Sequence, residues 1–213
     1  MIRSPINLRE QEIRDTTIEF RSAKKESDVL IRCTVTNCEW ILEEPCWVSF
    51  ASCTFEDCTI ITKKECSQRC DDSRWINCTF IGEFGFFLGT RTAYGSLSPG
   101  PMVVGCDFSR ATGRFALINT DVSKIKFPKW PNITILEPFL HMAELKSIKR
   151  STFYLQIWWD GYLSNFSPFI SSDTINWHKV VKRLKDPKNE GWDFEQCEDE
   201  MRSSLERLPY VIM

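Results

Sequence analysis

The chain is poor in the residues and motifs that most often do chemistry. Only two histidines occur in 213 residues, His141 and His178, and neither stands in an HExxH setting. GxSxG, P-loop and GxGxxG motifs are also missing, so the common hydrolase, nucleotide and dinucleotide signatures have no counterpart here. An excess of one charge is missing as well. The chain has 27 Lys/Arg against 29 Asp/Glu; residues 1–135 hold 17 of each, and residues 136–213 hold 10 and 12. Neither part has the basic excess needed to neutralise a phosphate backbone, so no direct nucleic-acid partner is expected. No apolar run reaches the ~20 residues of a membrane span, and the opening residues lack the apolar core of a secretory signal. The expectation is a cytoplasmic chain with no membrane partner. On that basis the N-x-S/T sequons at Asn77, Asn132 and Asn165 read as chance.

What is plentiful is cysteine. Ten cysteines in a secreted chain would suggest a disulfide framework, but here most of them sit inside a repeated phrase. Buried cysteine packs as a small apolar filler, and in a reducing compartment these residues are expected to stay thiols. The phrase reads apolar, any, Asn/Asp/Gly, Cys/Ile, any, apolar. Its copies are Val35–Trp40, Phe55–Ile60, Trp75–Phe80, Val103–Phe108 and Trp130–Ile135. The first three are spaced by 20 residues, and the later gaps are 28 and 27. A fixed period of this size marks a stacked-coil architecture.

Aligning the copies stacks like on like. Cys38, Cys58 and Cys78 form one column; Trp40, Ile60 and Phe80 a second; Val35, Phe55 and Trp75 a third; Leu30, Phe50 and Cys70 a fourth. Ile18 and Phe20 lie 20 residues before Cys38 and Trp40, so they are expected to open the stack. Within a turn the units advance by five residues, as from Leu30 to Val35 to Trp40. That is strand-like alternation in short pieces with a corner after each, four to a coil. Cys33-Thr-Val35, Cys53-Thr-Phe55, Cys58-Thr-Ile60, Cys78-Thr-Phe80 and Cys106-Asp-Phe108 together resemble the pentapeptide-repeat family, over roughly residues 15–135. The resemblance implies a mainly β fold, a right-handed quadrilateral parallel β-helix of about 20 residues per coil. It assigns residues 1–135 to that coil, distorted because two of its sides are irregular, and leaves residues 136–213 as a small α-helical cap.

Interruptions of the pattern mark the candidate surfaces. On an irregular side Glu43, Lys63 and Glu83 share a column of alternating sign, either a solvated face or part of a partner-binding strip. An insertion at 83–101, punctuated by glycine and proline, carries Phe86, Phe87, Leu88, Arg91 and Tyr94. Aromatics and arginine on a protruding loop suit an interface anchor, so Phe87, Arg91 and Tyr94 are candidate contacts; Phe86 and Leu88 can instead fill the coil. A second insertion, 113–129, is expected to add an irregular coil or short helix. Beyond it the period turns helical. Helices are expected from Glu137-Pro138 to about Ile148, after a Ser172-Asp173 cap, and over about Asp193–Leu208. The aromatic segment Phe153–Phe169, of helix or strand type, is the expected cap on the open end of the stack. Its Trp158, Trp159 and Tyr162 are the alternative partner or dimer surface.

A Cys/His nucleophile is disfavoured because the cysteines belong to core columns. A zinc site from Cys66 and Cys70 with Cys46 or Cys53 lacks paired CxxC knuckles. No metal or other cofactor and no catalysis are expected. The preferred function is a cytoplasmic module, monomer or homodimer, that inhibits a protein partner, most concretely an immunity protein neutralising a toxin. The family resemblance implies an alternative, mimicry of duplex DNA that protects DNA gyrase.

Overall fold

The computed structural model describes residues 1–21, 28–43, 48–63, 66–71, 73–89, 103–184 and 193–213. Short strands follow one another around a repeating path. A first pass holds β1 (Ile2–Arg3), β2 (Asn7–Arg9) and β3 (Glu12–Arg14). A second holds β4 (Thr17–Phe20), β5 (Asp28–Ile31) and β6 (Thr34–Thr36), and a third β7 (Glu39–Leu42), β8 (Val48–Ala51) and β9 (Thr54–Glu56). A fourth holds β10 (Thr59–Thr62), β11 (Cys66–Asp71) and β12 (Arg74–Ile76). Above them run β13 (Thr79–Gly89), β14 (Val103–Val104) and β15 (Asp107–Ile118). From β1 to β10 each strand pairs in parallel with the strand three places on, as β4 with β7, β7 with β10 and β6 with β9, while β11 and β12 pair two places on, with β13 and β14. Trp40, Ile60 and Phe80 stand in register, as do Val35, Phe55, Trp75 and Val103. The aligned columns are therefore real.

Two physical features produce the path. Alternate residues point inward and are large, so Phe20, Trp40, Phe50, Phe55, Trp75, Phe80 and Phe108 are almost fully buried. Their rings contact one another: Phe55 stacks on Trp75 at 4.0 Å, and Phe80 on Phe108 at 4.4 Å. Each such burial stabilises by about 1.5–3 kcal/mol, and ring pairs of this geometry add ~1 kcal/mol. The second feature is the corner. Asp15, Asn37, Asp57, Asn77 and Gly105 all take positive φ, and so do Glu10, Arg32 and Ser52 five residues before the first three. The Asn/Asp/Gly slot of the phrase is thus a backbone requirement, because these residues enter the left-handed region at least cost. The amides of Asp15, Asn37, Asp57 and Asn77 donate to the next pass, as Asn37 N to Glu56 O and Asp57 N to Ile76 O. Beside the corner each cysteine thiol donates across the stack: Cys58 Sγ to Val35 O at 3.4 Å and Cys106 Sγ to Trp75 O at 3.5 Å.

Several boundaries differ from expectation. The stack opens at Ile2 rather than Ile18, and Ile18 pairs with Trp40 at a 22-residue offset. The segment 83–89 is no loop. It is the second half of β13, paired to β11 on one side and β15 on the other, with Phe84, Phe86 and Leu88 buried. The added residues fall after Gly89, between it and β14. Arg91 and Tyr94 lie there, outside the described residues; Phe87 is in β13 and pairs through its backbone with Arg69 and Ala116. The 113–129 segment continues β15 to Ile118, makes a short 3-10 turn at Val122–Lys124 and then bridges back through Lys126 to Asp107.

The fifth copy of the phrase does not stack. It forms β16 (Asn132–Leu136), followed by α1 (Met142–Ser147), α2 (Phe153–Leu163), β17 (Ile170–Asn176), α3 (Trp177–Leu184), α4 (Phe194–Leu205) and β18 (Val211–Ile212). β17 lies antiparallel on β15, β16 on β17, and β18 on β16, so the larger sheet is mixed. This covers the edge of β15 that would otherwise offer free backbone groups. Ser172 and Asp173 belong to β17 and cap no helix; Asn176 caps α3 instead, accepting from Lys179 N at 3.2 Å. α4 follows expectation, with Asp193 accepting from Gln196 N at 3.0 Å and Cys197, Met201 and Leu205 buried on one stripe. A second apolar cluster, around Ile133, Leu155, Trp159, Trp177 and Met201, fills this region, distinct from the stack core. The molecule is mainly β with parallel sheets and C-terminal helices. No helix among the described residues is long and apolar enough to cross a membrane.

Candidate functional site

The seam between the stack and the C-terminal region gathers the densest polar chemistry. β15 brings Arg114 to it, β17 brings Asp173, α2 brings Trp158 and Tyr162, and α3 brings Lys179 and Arg183. Asn176 ties the elements together: its Nδ2 donates to Thr112 Oγ1 at 2.9 Å and to Asn132 Oδ1 at 3.0 Å. The Tyr162 hydroxyl donates to Asp173 Oδ1 at 2.9 Å, while Arg114 Nη2 stands 3.9 Å from Asp173 Oδ2. Trp158 stacks on Tyr162, ring centres 5.5 Å apart. Lys179 forms an ion pair with Glu83 of β13. A cleft of ≈ 60 Å³ opens here, lined by Gly113, Arg114, Trp158, Tyr162, Lys179 and Arg183 among others.

Burial governs the titration of this group. Asp173 is 1% exposed, and loss of water pushes its carboxyl up to about 6; Arg114 and the tyrosine hydroxyl pull the other way without cancelling it. The same burial, with the carboxylate beside it, raises the Tyr162 phenol. Around the cleft three cations face two carboxylates, one of them easily protonated.

Three of the residues expected from the sequence converge at this seam: Glu83, Trp158 and Tyr162. Trp158 is half-buried, Trp159 is wholly a core residue, and Tyr162 is buried apart from the edge that lines the cleft. Trp159 is held inside by Nε1 donating to Leu145 O at 3.0 Å, with the Arg150 guanidinium 4.3 Å over its ring. Glu43 and Lys63 do meet, at 2.8 Å, within a run of ion pairs from Arg3 through Glu19 and Arg21. Glu83 pairs with Lys179 of α3, and β13 runs on past it to Gly89. The hydrogen bond and charge of Lys63 hold the Glu43 carboxyl below the usual range.

Sequence patterns missed Arg114, Asp173, Lys179 and Arg183. Asp173 resembled a cap, and Arg114 lay in an insertion with no period. They missed also the apolar residues left exposed, Phe139, Leu140, Phe153, Ile157 and Phe169. The i, i+4 spacing of Phe153 and Ile157 was the available signal. The seven described cysteines are buried free thiols, and the hydrogen bonds among Cys58, Cys78 and Cys106 lower the first and last. Burial pushes the Cys53 thiol up to about 11 and raises Cys38, while the thiols of Cys106 and Cys58, with burial, raise Cys78. Cys46 lies outside the described residues, as do the side chains of Cys66 and Cys70. Among the described residues no group of three or more His, Cys, Asp or Glu is placed to hold a metal ion. Comparison with protein-family models, curated proteins and solved structures finds no match to this chain.

Proposed function

We propose that the chain is a protein-binding module that inhibits its partner by covering it, as an immunity protein covers a toxin. One observation carries this: where apolar surface stays exposed. Among the described residues the exposed large hydrophobics are Met1, Phe139, Leu140, Phe153, Ile157 and Phe169, so all but the first fall within residues 139–169. α2 contributes two of them one turn apart, while its other side buries Leu155, Trp159 and Leu163. A helix whose covered side is apolar and whose exposed side still carries Phe153 and Ile157, beside the polar Gln156 and Asp160, is suited to a second partner. Phe153 is 73% exposed and Ile157 53%, which makes them the anchors of such a contact.

The stack supports this role as a stiff base, and we read it as a right-handed quadrilateral β-helix of the pentapeptide-repeat kind. Support comes from the three-place parallel pairing, the 20-residue register and the left-handed corners five residues apart, Arg32 and Asn37, then Ser52 and Asp57. Mimicry of duplex DNA would need a row of carboxylates. The ion pairs from Arg3 to Lys63 alternate in sign instead, which favours a protein-covering role.

Co-expression with the product of a neighbouring gene tests the proposal. A stable complex and rescue of growth are expected; neither forming nor rescuing removes the toxin as partner. A gyrase supercoiling assay in the presence of an inhibitor is expected to be unchanged by the protein, and protection there would reverse the preference.

A further inference from the structure

The cleft at the seam has a composition that the docking of a partner on α2 does not use. Its walls come from four elements. Asn176, Lys179 and Arg183 fall on one face of the α3 segment by helical spacing, with Val180 beside them, and Gly113 and Arg114 of β15 also line the cleft. Trp158 and Tyr162 make the aromatic wall. Arg183 is exposed and has no ion-pair partner among the described residues. Arg114 is only loosely held. Its nearest carboxylate oxygen, Asp173 Oδ2, is 3.9 Å away and accepts no hydrogen bond among the described residues, beyond the range of a well-formed one. The guanidinium sits 5.7 Å from the Tyr162 ring centre. Its donors are therefore available to the cleft.

We propose that this cleft binds a small free oxyanion of the phosphate class through Arg114, Arg183 and Lys179. The internal volume of ≈ 60 Å³ has room for a few waters or one tetrahedral oxyanion. Guanidinium forks suit such an ion because their planar donors match two oxygens at once. Asn176 offers the ion no further donor, because its Nδ2 is engaged with Thr112 and Asn132. Two groups oppose binding. Glu83 shares Lys179, and ionised Asp173 attracts Arg114. The groups facing Asp173 are Arg114 from β15 and Tyr162 from α2, so its protonation removes a charge that competes with the ligand for Arg114 while Tyr162 stays neutral. Oxyanion affinity accordingly rises as pH falls through about 6.

Sulfate is the probe of choice because its charge is constant between about pH 5 and 8. The full chain is titrated calorimetrically with sodium sulfate, and with sodium chloride at matched ionic strength. Saturable one-to-one binding of sulfate and none of chloride is expected. Arg183→Gln and Arg114→Gln should each weaken it about tenfold, the value of one charge-assisted hydrogen bond. Lys146→Gln, on the exposed end of α1, should not. Lowering pH from about 7.5 to about 5.5 should tighten binding severalfold in the native chain and not in Asp173→Asn. Inorganic phosphate should compete with sulfate for the site. Sulfate heats indistinguishable from those of chloride overturn the proposal. So does native-like sulfate binding by Arg183→Gln, an exposed substitution that leaves the fold intact by circular dichroism.

Discussion

Asn37, Asp57, Asn77 and Gly105 hold the same corner of successive passes, with φ of 51, 53, 53 and 64°. A β-branched side chain there meets its own carbonyl, so Asn77→Val is expected to cost about 1–2 kcal/mol. Asn77→Gly should stay within about 0.5 kcal/mol of the native chain; urea midpoints compare the two. Gly113 makes a harder demand. It also has positive φ, and a Cβ there would stand 2.1 Å from the Phe84 carbonyl oxygen, an atom of the neighbouring β13 backbone that cannot swing aside. Gly113→Ala should lose more than about 2 kcal/mol, and equal stability by urea unfolding would show that β13 and β15 yield at this point.

Among the elements, β17 is the one on which the joining of the two cores depends. It pairs with β15 on one side and β16 on the other, and Asp173 sits in it with almost no exposure. Its carboxyl is raised by burial from an ordinary 3.8 to about 6. Below pH 4 both folded and unfolded chains carry the proton, and this group's contribution to stability is greatest. As pH rises from about 4 through 6 the unfolded chain gives up a proton that the folded chain retains, so stability falls, by roughly 3 kcal/mol from this group alone. Asp173→Asn keeps an acceptor for Tyr162 and removes the titration. Its urea midpoint relative to the native chain should be higher at pH 8 than at pH 4.5. A pH-independent difference would mean that Asp173 is ionised at both. Nothing in the local sequence signals this role, because Ser-Asp before an apolar run also suits a helix cap. The antiparallel partners that make it a strand lie 36 or more residues earlier in the chain.

For the whole molecule, the question is which surface is left for a partner. The stack closes its interior with rings and balances its outer charges in pairs, while the C-terminal region leaves Phe153 and Ile157 in water. Ile157→Glu should therefore leave stability within about 0.5 kcal/mol, yet abolish complex formation in co-purification with the partner. Full retention of the complex would move the contact off α2. Phe153→Ser serves as an independent check on the same face.

The parallel stack was legible from residue order alone. A 20-residue period of small, large and left-handed-tolerant residues can satisfy burial and corner geometry together only when the passes lie over one another in register. That logic stops where the period stops. Trp130–Ile135 carries the same phrase, but Asn132 turns its side chain to Lys129 O and takes no left-handed corner. Whether a strand stacks in parallel or pairs antiparallel depends on what else reaches its edge. For β15 that was decided by β17, and with it the position of Arg114 against Asp173 and Tyr162. The core columns follow from local periodicity. The seam, its cleft and the exposed face of α2 exist only because distant segments compete for the same backbone hydrogen bonds and the same buried space.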